Sequence, residues 1–164
     1  MGTWTDEIRD AFIAEFSDLP SLTEATQIVI RLVLAALLGG LLGFERSQKG
    51  KAAGVRTHML VALGSALFVL VPMQIGAQGD AMSRVVQGIV AGVGFLGAGT
   101  ILKHGENLAE VKGLTTAAGI WLTAAIGIAV GMGREVTAIL STLLALTILF
   151  LVPRCVEHLD RHEP

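Results

Sequence analysis

Apolar side chains gather along the chain into five long runs separated by short polar stretches. The runs cover residues 25–44, 59–75, 85–102, 115–132 and 136–152. A helix needs roughly 17–25 apolar residues to cross about 30 Å of hydrocarbon, and each run meets that length. A soluble helix of this size would turn a polar face outward every 3.6 residues. These runs are apolar on all sides, so the pattern predicts five transmembrane helices in an all-α, polytopic membrane fold. Residues 5–19 follow another pattern. Ile8, Phe12, Phe16 and Leu19 recur at helical spacing, with Asp6, Glu7, Asp10, Glu15 and Asp18 on the other faces. That predicts an amphipathic helix lying at the membrane interface. Its acidic flank does not fit a secretory signal peptide, which begins with a basic region. Pro20 ends it before the first run, which is expected to act as an uncleaved anchor.

Composition supports this class and removes others. Of 164 residues, 52% are hydrophobic and 16% charged, and the net charge is -2. No basic field is available for nucleic acid. Cys155 is the only cysteine, which rules out an intrachain disulfide and an all-cysteine metal site. Lysine and arginine are unevenly shared between the loops. One side carries Arg46, Lys49, Lys51, Arg56, Lys103, Lys112, Arg154 and Arg161; the other carries Arg9, Arg84 and Arg134. The positive-inside rule then puts the first and third loops and the tail at 153–164 in the cytoplasm, with the N-terminus outside.

Gly54-Val55-Arg56-Thr57 opens the second run and Gly113-Leu114-Thr115-Thr116 opens the fourth. This similarity suggests two helical hairpins in parallel orientation, with the fifth helix added.

Several polar residues are candidates for function. Arg31 lies inside the first run, where a bare charge is costly. It either snorkels to the outer interface or pairs with Asp80 in the short outer loop. Glu45 stands in a cationic segment, 43–58, where topology alone requires no acid. It either closes the hairpin base with Arg56 or offers an oxygen ligand to a cation. His58 is either a hydrogen-bonded structural residue or a pH sensor. Asp80 and Arg84 are spaced for an i,i+4 pair or a helix cap, and Asp80 is placed to meet an incoming Mg2+. The third run is dense in glycine, with Gly88, Gly92, Gly94, Gly97 and Gly99. Small residues let helix backbones approach closely, so this run is either a tightly packed helix or a broken one lining an ion path. Gly39, Gly40 and Gly43 form a second small-residue face. In the third loop, Glu106-Asn107 is expected to form one edge of a short hairpin ending at Lys112-Gly113. No phosphate loop, HExxH or nucleophile triad is present, which argues against an enzyme, and no cofactor is implied beyond Mg2+ as a transported or sensed ion.

Four stretches, taken in order, resemble the MgtC/SapB family of bacterial inner-membrane proteins. They are Leu42-Gly43-Phe44-Glu45-Arg46, the twelve residues from Ala53 through Gly54-Val55-Arg56-Thr57-His58 to Gly64, Gly94-Phe95-Leu96-Gly97-Ala98-Gly99, and Lys112-Gly113-Leu114-Thr115-Thr116-Ala117-Ala118. The resemblance implies a multi-pass inner-membrane protein linked to growth in low magnesium. In some pathogens the family is linked to survival inside macrophages, and one branch to restraint of the F-type ATP synthase. The positions carried over are Glu45, Arg46, Arg56, Thr57, His58, Asp80 and Arg84, with Arg31. Lys112 stands where the family leads one to expect arginine. The sequence stops about a dozen residues after the fifth run, so a short form without the cytoplasmic C-terminal domain is expected. Two functions remain open: moving or sensing a divalent cation, or binding and modulating another membrane complex. Exposed glycine faces on short helices also predict a homodimer.

Overall fold

The computed structural model describes residues 3–17, 21–103 and 111–160; for 102, 103 and 155–160 it describes the backbone alone. The elements are α1 (Trp4–Glu15), α2 (Leu22–Gln48), α3 (Val55–Gln74), α4 (Asp80–Gly99), β1 (Leu102–Lys103), β2 (Val111–Lys112), α5 (Leu114–Gly131) and α6 (Glu135–Asp160). α2 to α6 are each long and apolar enough to cross a membrane, which gives the expected multi-pass, all-α chain with a shorter helix ahead of it.

Residues 1–30 form one compact unit and residues 31–164 the other. In the first, the Thr3 hydroxyl and N–H both donate to the Asp6 carboxylate and fix the start of α1. Trp4, Ile8 and Phe12 lie exposed on it, with Phe16 in the turn that follows. The rings of Phe12 and Phe16 sit 4.8 Å apart. The helix ends at Glu15 rather than 19; residues 18–20 lie outside the described ones. Ser21 then caps α2, its hydroxyl accepting the Glu24 N–H at 3.1 Å.

In the second unit, α3 and α5 contribute to both halves of the core. Ala35, Leu38 and Leu42 of α2 pack with Ala62, Ala66, Ile126, Val130, Ala138 and Ala145. Val69, Ile120, Ala124 and Ile128 pack with Met82, Ile89 and Val93 of α4. α5 is the most enclosed helix. Small residues permit this layering. A Cβ on Gly39 of α2 would come 2.5 Å from the His58 carbonyl oxygen of α3. On the α5 side, a Cβ on Gly131 would come 2.7 Å from the Ala66 carbonyl, and one on Gly127 would overlap that of Ala62. α3 is thus held between two glycine faces.

The glycines of α4 behave otherwise. Nothing lies within 4 Å of a Cβ at Gly88, Gly92, Gly94 or Gly99; Gly97 alone among them approaches a neighbour, Ala117 at 3.5 Å. Among the described residues, an α4 glycine therefore meets a neighbouring helix only at Gly97, and close approaches to α3 come from Gly39 of α2 and from Gly127 and Gly131 of α5. α4 is also continuous, not broken. It stops at Gly99, where the Thr100 hydroxyl turns back to the Gly97 carbonyl at 2.8 Å. Leu102, expected in the third span, instead pairs with Lys112 across an antiparallel ladder, with Lys103 opposite Val111. The expected edge at Glu106-Asn107 lies outside the described residues. The fifth helix runs past the expected end at 152, through Pro153, to Asp160.

Gly54 and Gly113, the matched positions of the two similar segments, are the N-caps of α3 and α5. Gly113 has φ +98°, and a side chain there would overlap the Thr100 carbonyl. Only glycine meets both demands.

Candidate functional site

Polar chemistry concentrates where α2 ends, α3 and α5 begin, and α6 passes Pro153. Glu45 and Arg46 are adjacent on the last turns of α2, and each is only 3% exposed. The Arg46 Nε donates to Glu45 Oε2. Lys49, one turn on, brings its Nζ to 2.8 Å from Glu45 Oε1. Two cations therefore bracket one buried carboxylate, the arrangement that makes such a charge tolerable.

Lys49 also donates to the Leu149 carbonyl of α6 at 2.8 Å. The reason is local. Residue 153 is proline, which has no N–H for the carbonyl four residues earlier. Leu149 is left with a free acceptor, and Lys49 takes it. Its Nζ lies 5.6 Å from the centre of the Phe150 ring, and Arg154 lies 5.8 Å from the same ring, within the range of cation–π attraction. Ser47 closes the hairpin: its hydroxyl accepts the Val55 N–H at 3.1 Å, so α2 caps α3.

His58 is fully buried one turn into α3. Its Nδ1 lies 3.0 Å from the Gly54 carbonyl, and because a carbonyl only accepts, Nδ1 carries the proton. Nε2 is buried with no hydrogen-bond partner among the described residues, beside Gly119, where an added Cβ would stand 3.6 Å away. His58 and Arg46 share a 180 Å³ cavity with Leu42, Thr115, Gly119 and Leu122.

A larger cleft of 880 Å³ opens next to it. Arg46, Lys49, Lys51 and Arg154 line it, together with Gly113, Thr115 and Thr116 at the start of α5 and the apolar Leu114, Ile148 and Val152.

The other candidates lie elsewhere. Arg31 does not pair with Asp80. Its Nε is 3.5 Å from Glu135 Oε1, and its NH1 donates to the Gly131 carbonyl at 3.3 Å. The tight turn through Gly133 (φ +72°) brings the end of α5 and the start of α6 under the guanidinium. Arg31 thus satisfies a terminal carbonyl of α5 and an acid in the first turn of α6. Glu45 does not pair with Arg56, which is exposed, as is Thr57; Arg46 and Lys49 are nearer to the carboxylate. Asp80 and Arg84 are both exposed and form no ion pair with each other among the described residues, and no side chain caps α4. Among the described residues no three acids, histidines or cysteines gather as a metal site would require.

Sequence reasoning missed Glu135 and gave Lys49 only a topological role. Glu135, an acid at the edge of an apolar run, and Pro153, a proline inside one, were the available signals.

Comparison with known proteins yields a consistent picture. A sequence model described as the MgtC family matches residues 32–158. The chain is 48% identical to Protein SrpB of Synechococcus elongatus over 128 residues, covering 71% of this chain and 69% of SrpB. It is 43% identical over 130 residues to YhiD of Escherichia coli K12, whose name associates that protein with magnesium transport; this covers 75% of the chain and 59% of YhiD. Against Protein MgtC of Salmonella typhimurium LT2 it is 38% identical over 133 residues, covering 81% of the chain and 55% of that protein. The chain thus spans little more than half the length of the latter two relatives. No solved structure matches.

Proposed function

The chain belongs to the MgtC family, and we propose that it serves a bacterial inner membrane in adaptation to low magnesium as a regulator, binding and modulating another membrane complex without conducting an ion. One observation carries this reading. Glu45, Arg46 and Arg31 are each engaged in an ion pair within the chain, and the acid that meets Arg31 is Glu135. A cation path needs carboxylates free to take the ion. Asp80 is exposed at the far end from Glu45 and, among the described residues, stands in no metal-ligand group. The excess of lysine and arginine in the first and third loops supports a cytoplasmic Glu45–Arg46 pair, and the exposed apolar residues of α1 suit an interfacial helix.

The working unit is a homodimer built on α3 and α4. A 610 Å³ groove between these helices is lined by Gly64, Gly88 and Gly92, flanked by the exposed Leu60, Phe68 and Leu96. Hollow and ridge lie on the same face, which is what a twofold, self-complementary interface requires. Among the described residues, Ser65 is the single hydroxyl-bearing one in its lining, in keeping with an apolar helix as occupant.

The test is Mg2+ entry into proteoliposomes loaded with a fluorescent Mg2+ indicator. Wild type, Glu45→Gln and Asp80→Asn are expected to match empty liposomes. Protein-dependent entry that falls in either variant would overturn the regulatory reading in favour of a cation pathway.

A further inference from the structure

The cleft at the end of α2 has the chemistry of an anion site, and we infer that it binds a phosphate-bearing anion. This goes beyond the regulatory reading and does not depend on it. Four cationic side chains line the cleft, from three separate segments: Arg46 on the last turn of α2, Lys49 and Lys51 in the connection that follows, and Arg154 on α6. The nearby Glu45 neutralises only part of this charge, and it sits buried behind Arg46.

Two buried residues that line the cleft carry donors with no partner among the described residues. Arg46 has a side chain 4% exposed and uses its Nε on Glu45. Among the described residues no acceptor meets its two terminal nitrogens, and the residue lines the cleft. Thr116 is 3% exposed. Other threonines of the helices, Thr123, Thr142 and Thr147, turn their hydroxyls back to the carbonyl four residues earlier. Thr116 stands in the first turn of α5, where the residue four earlier, Lys112, belongs to β2 and not to the helix, and its hydroxyl has no partner among the described residues. It lines the same cleft.

The start of α5 adds to this. Gly113 provides no side-chain cap, so the first N–H groups of the helix remain as donors at its positive end. Guanidinium, ammonium, hydroxyl and helix N-terminus together match the tetrahedral, multiply charged oxygens of a phosphate. Phe150, with Lys49 and Arg154 over its ring, holds two of the cations at the cleft. Leu114, Ile148 and Val152 line the same space, which leaves room for a phospholipid headgroup with its chains against the helices. A soluble phosphate compound offers the same chemistry.

The full chain is reconstituted in nanodiscs of phosphatidylcholine and titrated with three probes: phosphatidylglycerol, inorganic phosphate and ATP. Binding is expected for at least one phosphate probe above the phosphatidylcholine background, weakening with added salt. Saturation by phosphatidylglycerol alone identifies a headgroup; saturation by phosphate or ATP identifies a soluble ligand. Lys51→Gln/Arg154→Gln is expected to weaken binding about tenfold or more, and Thr116→Val about threefold to tenfold. The exposed pair Arg84→Gln/Arg134→Gln removes the same charge at the opposite end and is expected to leave binding unchanged. Thermal melts followed by circular dichroism establish that each variant is folded. No binding by wild type, or equal losses in the two double variants, would overturn the inference.

Discussion

At the scale of single residues, burial decides what a charge does. Glu45 is surrounded closely enough that removing its charge strands Arg46 at 3% exposure. Breaking one partner of a buried pair costs roughly 3–5 kcal/mol. Glu45→Gln is therefore expected to lower the stability of the purified protein by about 3 kcal/mol, read from denaturation in a mild detergent. The double change Glu45→Gln/Arg46→Gln should cost less than the two single losses added; strictly additive losses would show that the two side chains act separately. The Arg31–Glu135 pair is longer and partly exposed, so about 1 kcal/mol of coupling is expected. It should appear in an Arg31→Gln/Glu135→Gln cycle and be missing from an Arg31→Gln/Asp80→Asn cycle. Asp6 belongs to the same scale outside the spans. Its hydrogen bonds from Thr3 hold its carboxyl below the usual value. A lowered value means that the charged form supports α1 above the ordinary carboxyl range and that this support fades as pH falls through the lowered value. Circular dichroism of a peptide covering 1–17 should lose helix on acidification, and Thr3→Ala should reduce that loss.

At the scale of elements, proline and glycine direct the packing. Pro153 frees the Leu149 carbonyl and Lys49 joins α2 to α6 through it. Pro153→Ala restores a helical N–H donor at that site, so Lys49→Met should cost less in that background than in wild type. An equal cost in both would mean that Lys49 acts through Glu45 alone. The glycines divide into two sets that sequence does not distinguish. Gly39 and Gly127 lie against α3 backbone, whereas Gly88 and Gly92 face open space. Gly127→Leu should prevent stable folding. Gly92→Leu should leave the monomer folded and abolish the proposed dimer, measured as molar mass by light scattering in detergent. A dimer that survives Gly92→Leu would remove the α3–α4 groove from the interface.

At the scale of the whole molecule, hydrophobic patterning was sufficient for the architecture. Runs of apolar residues long enough for a bilayer leave a helix as the available spanning form, and α2 to α6 lie where those runs lie. Glycine at 54 and 113 marked the starts of α3 and α5, because local backbone geometry at a cap depends on few neighbours. Ends were less legible. Leu102 left its run to join a strand, and α6 continued through Pro153 because the freed carbonyl found a lysine from another helix. The candidate site was partly legible: Glu45, Arg46 and His58 stood out as polar residues at the rim of apolar runs. Their partners did not, since spacing along a chain says nothing about which helix lies alongside. The sequence by itself therefore determined the class, the number of spans and the places where charge would need an answer, all of which follow from the cost of polar groups in hydrocarbon. Tertiary structure alone decided that Glu135 answers Arg31, that Lys49 answers Glu45 and Leu149, and that the glycines of α5 rather than those of α4 meet α3. Each of these depends on distances across the bundle, which only the packing of one helix against another sets.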